Sequence, residues 1–153
     1  MTSKQMKTIF DKTTREELIV RINTLSENSK AQWGKMNVYQ MLKHCTLYEE
    51  MLLEKITFKR IFIGRLVGKL ALKELIGDDS PVKRNLSTIP EMRVKEEKGD
   101  IVAEKEHWIA LINEHANCSN TEYMHAFAGK VTREQSGYLA YKHTDHHLRQ
   151  FNS

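Results

Sequence analysis

Three histidines fall within five residues near the C-terminus: His143, His146 and His147. His143 and His147 stand at i, i+4, roughly 40° apart on a helical wheel, the spacing at which two imidazoles reach one metal ion. Leu139 and Ala140 flank them, so both point toward the interior of a helical protein or its mouth, with Gln150 on the same side. His146 lies farther round, toward the charged side. Seven histidines scattered over 153 positions would give about 0.3 such pairs by chance, so the pair alone is weak and needs a third ligand. His44 can supply it, because it borders an apolar arc on another helix and metal sites are commonly built from side chains on facing helices. The competing reading is a set of unconnected imidazoles, each satisfied by a hydrogen bond.

Three neutral imidazoles leave a divalent cation its full charge and at least one open position, unlike a closed site of four thiolates. Such a cation favours a thiolate over a thiol, or lowers the pKa of a bound water, and the ligand set does not choose between the two. Imidazole suits zinc or nickel better than magnesium or calcium. Asp145 lies between the two ligands in sequence but points away from them.

Helices must position these residues. Thr14-x-x-Glu17, Asn37-x-x-Gln40 and Thr132-x-x-Gln135 each have capping-box spacing. The first helix is expected from Arg15 to Asn28, stacking Leu18, Ile22 and Leu25. The second is expected from Val38 to Lys55, with Val38, Met41, Leu42, Cys45, Tyr48, Leu52 and Leu53 on one arc and His44 at its edge. Cys45 reads as core, Tyr48 as core or pocket wall, and Trp33 as a residue packed at the helix entry or facing a substrate. Glu49 falls inside the apolar arc, where an ionised carboxylate is costly unless paired. It reads as one half of a salt bridge, or as a group that orients a ligand or transfers a proton. Further helices are expected from Ile101 to Ala116, with a poorly marked start, and from Arg133 to Phe151. The stretch KRIFIGRLVGKLALKELIG, residues 59–77, is apolar nearly all round and reads as a shorter helix packed on the rest. A contact between copies suits it better than a membrane surface, which calls for a cleaner split of faces. Both prolines fall in an irregular crossover from Asp78 to Lys98, and long loops of this kind often cover a site. No segment has a convincing strand period.

The composition bounds the rest. At 40% hydrophobic and 29% charged, 153 residues suit one folded domain over 1–153. The net charge of +4 does not demand nucleic acid, although Lys59, Arg60, Arg65 and Lys69 form a basic run. Cys45 and Cys118 are too few for a disulfide framework. The N-terminal residues lack the apolar core of a secretory leader, and no stretch is long enough to span a bilayer, so the expected setting is the cytoplasm, without a membrane partner.

Two runs carry a resemblance. WGKMNVYQMLKH, from Trp33 to His44, resembles the Trp-to-His entry into the second helix of the DinB/YfiT-like superfamily of metal-dependent proteins. HAFAGKVTREQSGYLAYKHTDHHLRQF, residues 125–151, is similar to that superfamily's end motif, a His-Pro-x-Phe-Gly turn followed by a helix with His-x-x-x-His and a nearby Gln. The central RNLSTIP resembles a linker in a branch of unknown function. Ala126 and Ala128 replace the usual Pro and Phe of the turn. The resemblance implies an all-α, four-helix, DinB-like bundle, frequently a homodimer, with His44, His143 and His147 as ligands of zinc, nickel or a similar ion. It also implies a low-molecular-weight thiol as cosubstrate, since some relatives transfer such thiols. His125 then comes near the pocket mouth, as a general acid or base or as a capping residue.

The expected activity is S-transfer from a small thiol to an electrophilic small molecule, with His125 and Glu49 as the candidate catalytic residues. The alternatives are a non-catalytic binding or stress-response module with a structural metal, and a metal-dependent hydrolase. A nucleic-acid-binding role ranks last, because the basic residues are interleaved with apolar ones.

Overall fold

The computed structural model describes residues 6–153; the first five, on which the leader and domain expectations partly rest, lie outside the described residues. The chain is predominantly helical: α1 (Lys12–Thr24), α2 (Val38–Leu52), α3 (Phe62–Leu75), a 3-10 turn (Pro90–Met92), α4 (Ile101–Asn117), the hairpin β1 (Glu122–His125) and β2 (Gly129–Thr132), and α5 (Arg133–Gln150).

Two of the three capping boxes form as their spacing requires. Asn37 and Gln40 bond reciprocally at the start of α2, and Thr132 and Gln135 do so at the start of α5. The third does not. Asp11 caps α1, its carboxylate accepting from the Thr14 amide at 2.7 Å, and Thr14 is carried inside the helix. An earlier, stronger acceptor displaces the box expected at Thr14. The same helix ends at Thr24 rather than Asn28, because Leu25 is already extended. In α2, Glu54 adopts a positive φ of 56°, so the helix stops at Leu52, short of Lys55. The poorly marked start of α4 has a cap in Asp100, which accepts from the Ala103 amide at 2.9 Å.

α2 packs against α4 and α5, and α1 packs against the same two helices. Leu18, Ile22, Met41, Leu42, Trp108, Ile112 and Leu148 close the core between them. A second apolar cluster, Leu72, Tyr123, Ala128, Val131 and Leu139, lies where α3 and the hairpin meet α5.

The hairpin corrects the expectation of a purely helical chain. Its strands pair antiparallel in a register that sets Tyr123 opposite Val131. These two residues are buried while Met124 and Lys130 face solvent, a period-2 pattern too short to stand out in sequence. Gly129, with φ of +76°, permits the sharp return. Among the described residues, no helix is long and apolar enough to cross a membrane.

Candidate metal centre

α2 presents His44 and α5 presents His143 and His147, and the three converge. One nitrogen from each lies within 4.8 Å of the other two. His44 Nε2 and His143 Nε2 are 3.1 Å apart, close to the ~3.3 Å that separates two nitrogens on a tetrahedral zinc. His44 and His147 are buried and His143 is half-buried.

The outer partners determine which lone pairs are free. His44 Nδ1 lies 3.1 Å from the Met92 carbonyl oxygen, which can only accept, so Nδ1 carries the proton and Nε2 is bare. His147 Nδ1 lies 2.8 Å from Gln150 Oε1. The Gln150 amide is oriented in turn by donation from its Nε2 to the Trp33 carbonyl at 2.9 Å. His147 Nδ1 is therefore a donor, and its Nε2 is bare as well. Carbonyl and amide acceptors behind ligating histidines fix tautomer and ring direction in this way. Tyr48 stacks flat on His143, with ring centroids 3.7 Å apart and planes inclined by 6°.

Burial keeps these imidazoles neutral. It is the main cause that drives His147 down to about 3, with His44 adding to the shift. It also holds His143 well below the usual histidine range, with His147 and His44 contributing, and it lowers His44 against the opposing Met92 hydrogen bond. A neutral imidazole is the form that binds a metal. Two bare nitrogens beside a third imidazole, with no carboxylate among them, make a donor set that fits a metal ion. These three residues could hold one.

The crossover between α3 and α4 lies over this cluster. Besides Met92 on His44, its Ser80 carbonyl accepts from Lys142 Nζ at 2.5 Å, and the Arg84 guanidinium sits 4.2 Å over the Trp33 ring. A cavity of about 500 Å³ opens beside it, lined by Trp33, Val82, Arg84, His146 and Arg149 among others. Trp33 thus packs at the entry to α2, lines a cavity and, through its carbonyl, supports His147. The His146 ring meets both Trp33 and His147, at centroid distances of 5.7 and 5.0 Å. Asp145 is buried but turned to Arg21 and Arg149, at 2.8 and 2.7 Å. Cys45 is core.

His125 closes the hairpin turn. Its Nδ1 accepts from the Phe127 and Ala128 amides, both at 3.1 Å, so Nε2 bears the hydrogen. Its ring lies 5.7 Å from that of Tyr48, and burial together with the nearby Arg60 lowers it to about 4.

Glu49 faces His115 instead of the His triad. Glu49 Oε2 is 2.9 Å from His115 Nδ1, and His115 Nε2 is 3.0 Å from Ser136 Oγ, with all three residues at 0% exposure. The order acid, imidazole, hydroxyl matches a hydrolase triad, but the protons run the wrong way. Ser136 Oγ donates to the Arg133 carbonyl at 2.7 Å, so it accepts from His115 Nε2–H and has no imidazole lone pair to activate it. One hydrogen bond links His115 Nδ1 to Glu49 Oε2, Glu49 Oε1 has no partner among the described residues, and the group joins α2, α4 and α5. His115 was not singled out in sequence. The available signal was Glu49 itself, a carboxylate in an apolar arc that required an inward-facing partner.

Over residues 4–153 the sequence matches the family described as "Protein of unknown function (DUF1569)". The chain belongs to the DUF1569 family. No curated protein and no solved structure matches it.

Proposed function

We propose that this DUF1569 protein is a zinc- or nickel-dependent enzyme with a DinB-like four-helix bundle, and that it transfers a low-molecular-weight thiol to an electrophilic small molecule. The observation that carries this reading is the pair of outward hydrogen bonds, His44 to Met92 and His147 to Gln150, which leaves two bare Nε2 atoms beside a third imidazole. When bound, the ion supplies a positive charge that favours thiolate over thiol. The chain's own residues do the rest. Tyr48 holds the plane of His143, burial keeps the three ligands unprotonated at neutral pH, and the crossover limits water around the cluster. His125 presents Nε2–H, which fits it to donate a hydrogen bond to a substrate atom; its Nδ1 lone pair is already taken by two amides. Glu49, committed to His115, positions helices and takes no part in the reaction.

The enclosure of His44 and His147 favours a second reading, a structural metal without turnover. One experiment separates them. Protein purified without chelators is assayed for metal and then for loss of free thiol when an electrophile is added, beside His44→Ala. The enzyme reading expects about one ion per chain and thiol consumption that the variant lacks. Metal with no thiol consumption, and a variant that melts earlier, supports the structural reading. A metal-free protein, unchanged in stability by His44→Ala, overturns both.

A further inference from the structure

Residues 59–73 contain five cations and no acid, more than the whole chain's excess of +4, so the remainder of the chain is net negative. This stretch includes most of α3, a helix whose first two turns present their large side chains outward. Its inward face is small: Gly64 and Gly68 lie on the backbone of Phe127 and Ala128, where a Cβ at either position would strike the Phe127 carbonyl oxygen. Phe62, Leu66 and Leu70, four residues apart in one row, are 74%, 68% and 71% exposed, and Ile63 and Val67 fill the adjoining row. At 100° per residue these five cover an arc of roughly 140°. Arg65 and Lys69 run along one edge, with the exposed Lys69 ammonium also donating to the Lys130 carbonyl, Lys73 continues their row into the margin of the arc, Lys59 precedes the helix, and Glu74 is the one acid in the last turn. Leu72, Leu75 and Ile76, which complete the apolar circle in sequence, pack inward on the second cluster. Once they are buried, the remaining surface divides into an apolar arc and a basic edge.

The occupant of this face must be both apolar and anionic. A nucleic acid would meet the cations but leave the apolar arc in water. A second copy would cover the arc but bring its own Lys59, Arg65, Lys69 and Lys73 beside the first four, Arg60 being turned to the Phe127 carbonyl. A bilayer with anionic head groups satisfies both halves. We propose that α3 docks the protein on an anionic lipid surface. The helix lies in the plane of the membrane, with Phe62, Leu66 and Leu70 at the boundary of head groups and acyl chains, and with Lys59, Arg65, Lys69 and Lys73 among the phosphates. Its 14 residues give about 21 Å of helix, too short for a hydrocarbon core of about 30 Å, so it rests on the bilayer without crossing it.

The test is co-sedimentation of the full chain with vesicles of phosphatidylcholine alone, or with roughly a third phosphatidylglycerol. The expected result is at least tenfold tighter binding to the anionic vesicles, weakening as salt is raised. Leu66→Glu and, separately, the pair Lys69→Glu with Lys73→Glu should each lose that tenfold while keeping the helical circular dichroism of the parent. Val102→Glu, at an apolar position on α4 that is 61% exposed, should keep it. Equal binding to both vesicles, no binding to either, or an equal loss in Val102→Glu overturns the proposal. A dimer that Leu66→Glu dissociates, with no vesicle binding, replaces the lipid by a second copy.

Discussion

Two buried histidine sites lie in one core and share α2 and α5, yet their hydrogen bonds are arranged in opposite ways. At His115 every ring nitrogen has a partner inside the network: Nε2–H donates to Ser136 Oγ, and Nδ1 is hydrogen-bonded to Glu49 Oε2. At His44 and His147 the outward-facing nitrogens hold the protons, and the inward-facing ones are bare. The first cluster partners both imidazole nitrogens and joins three helices, leaving Glu49 Oε1 as its one buried oxygen without a partner among the described residues. In the second the lone pairs face one another: His44 Nε2 has His143 Nε2 beside it at 3.1 Å, where a cation or a donated proton can lie between them. The first is the more deeply buried, since His143 is half-buried, and the direction of the hydrogen bonds separates the two further.

The contrast can be broken by substitution. His44→Ala should weaken metal binding by roughly a thousandfold, read by competition with a chromophoric chelator, because one of three ligands is gone. His115→Ala should do the reverse. Metal stoichiometry should stay as in the parent, while chemical denaturation shows a loss of about 3 kcal/mol, since Glu49 is left buried without its partner. If His115→Ala abolishes metal binding as His44→Ala does, the two clusters are not independent. Gln150→Ala sharpens the comparison, because it removes no ligand. It should cost about 10- to 100-fold in metal affinity by releasing the His147 tautomer.

The smallest effect is with pH. The folded-state pKa of His147 lies near 3, below its unfolded value of 6.5. The unfolded chain therefore takes up the proton first, and the stability present above pH 6.5 is lost as pH falls from there toward 3. Between pH 7 and 5.5 this residue alone should cost the metal-free protein about 1 kcal/mol. Denaturation at the two pH values, with and without added zinc, measures it, and the stabilisation by zinc should shrink toward the acid end as protons compete for the same nitrogens.

The cluster was legible partly from periodicity and partly from the resemblance carried by residues 33–44 and 125–151. Spacing of i, i+4 placed His143 and His147 together, the apolar arc of α2 placed His44 at its edge, and Gln150 fell on the same side. The Met92 carbonyl left no trace, since a backbone acceptor has no residue type to recognise. The hairpin was missed because each four-residue strand buries only one large residue, Tyr123 or Val131. At α1, a carboxylate three residues upstream of Thr14 outcompeted the hydroxyl. In α3, the wheel showed apolar residues all round, and only the packing of Gly64 and Gly68 on the hairpin turn decided which of them faced solvent.

Because the oxygen behind His44 belongs to Met92 in the crossover, the geometry of that imidazole depends on a strand of polypeptide that a protease can reach. Cleavage between α3 and α4 should loosen the grip on the ion, and a seated ion should slow cleavage of the same stretch. Limited digestion thus becomes a gauge of occupancy.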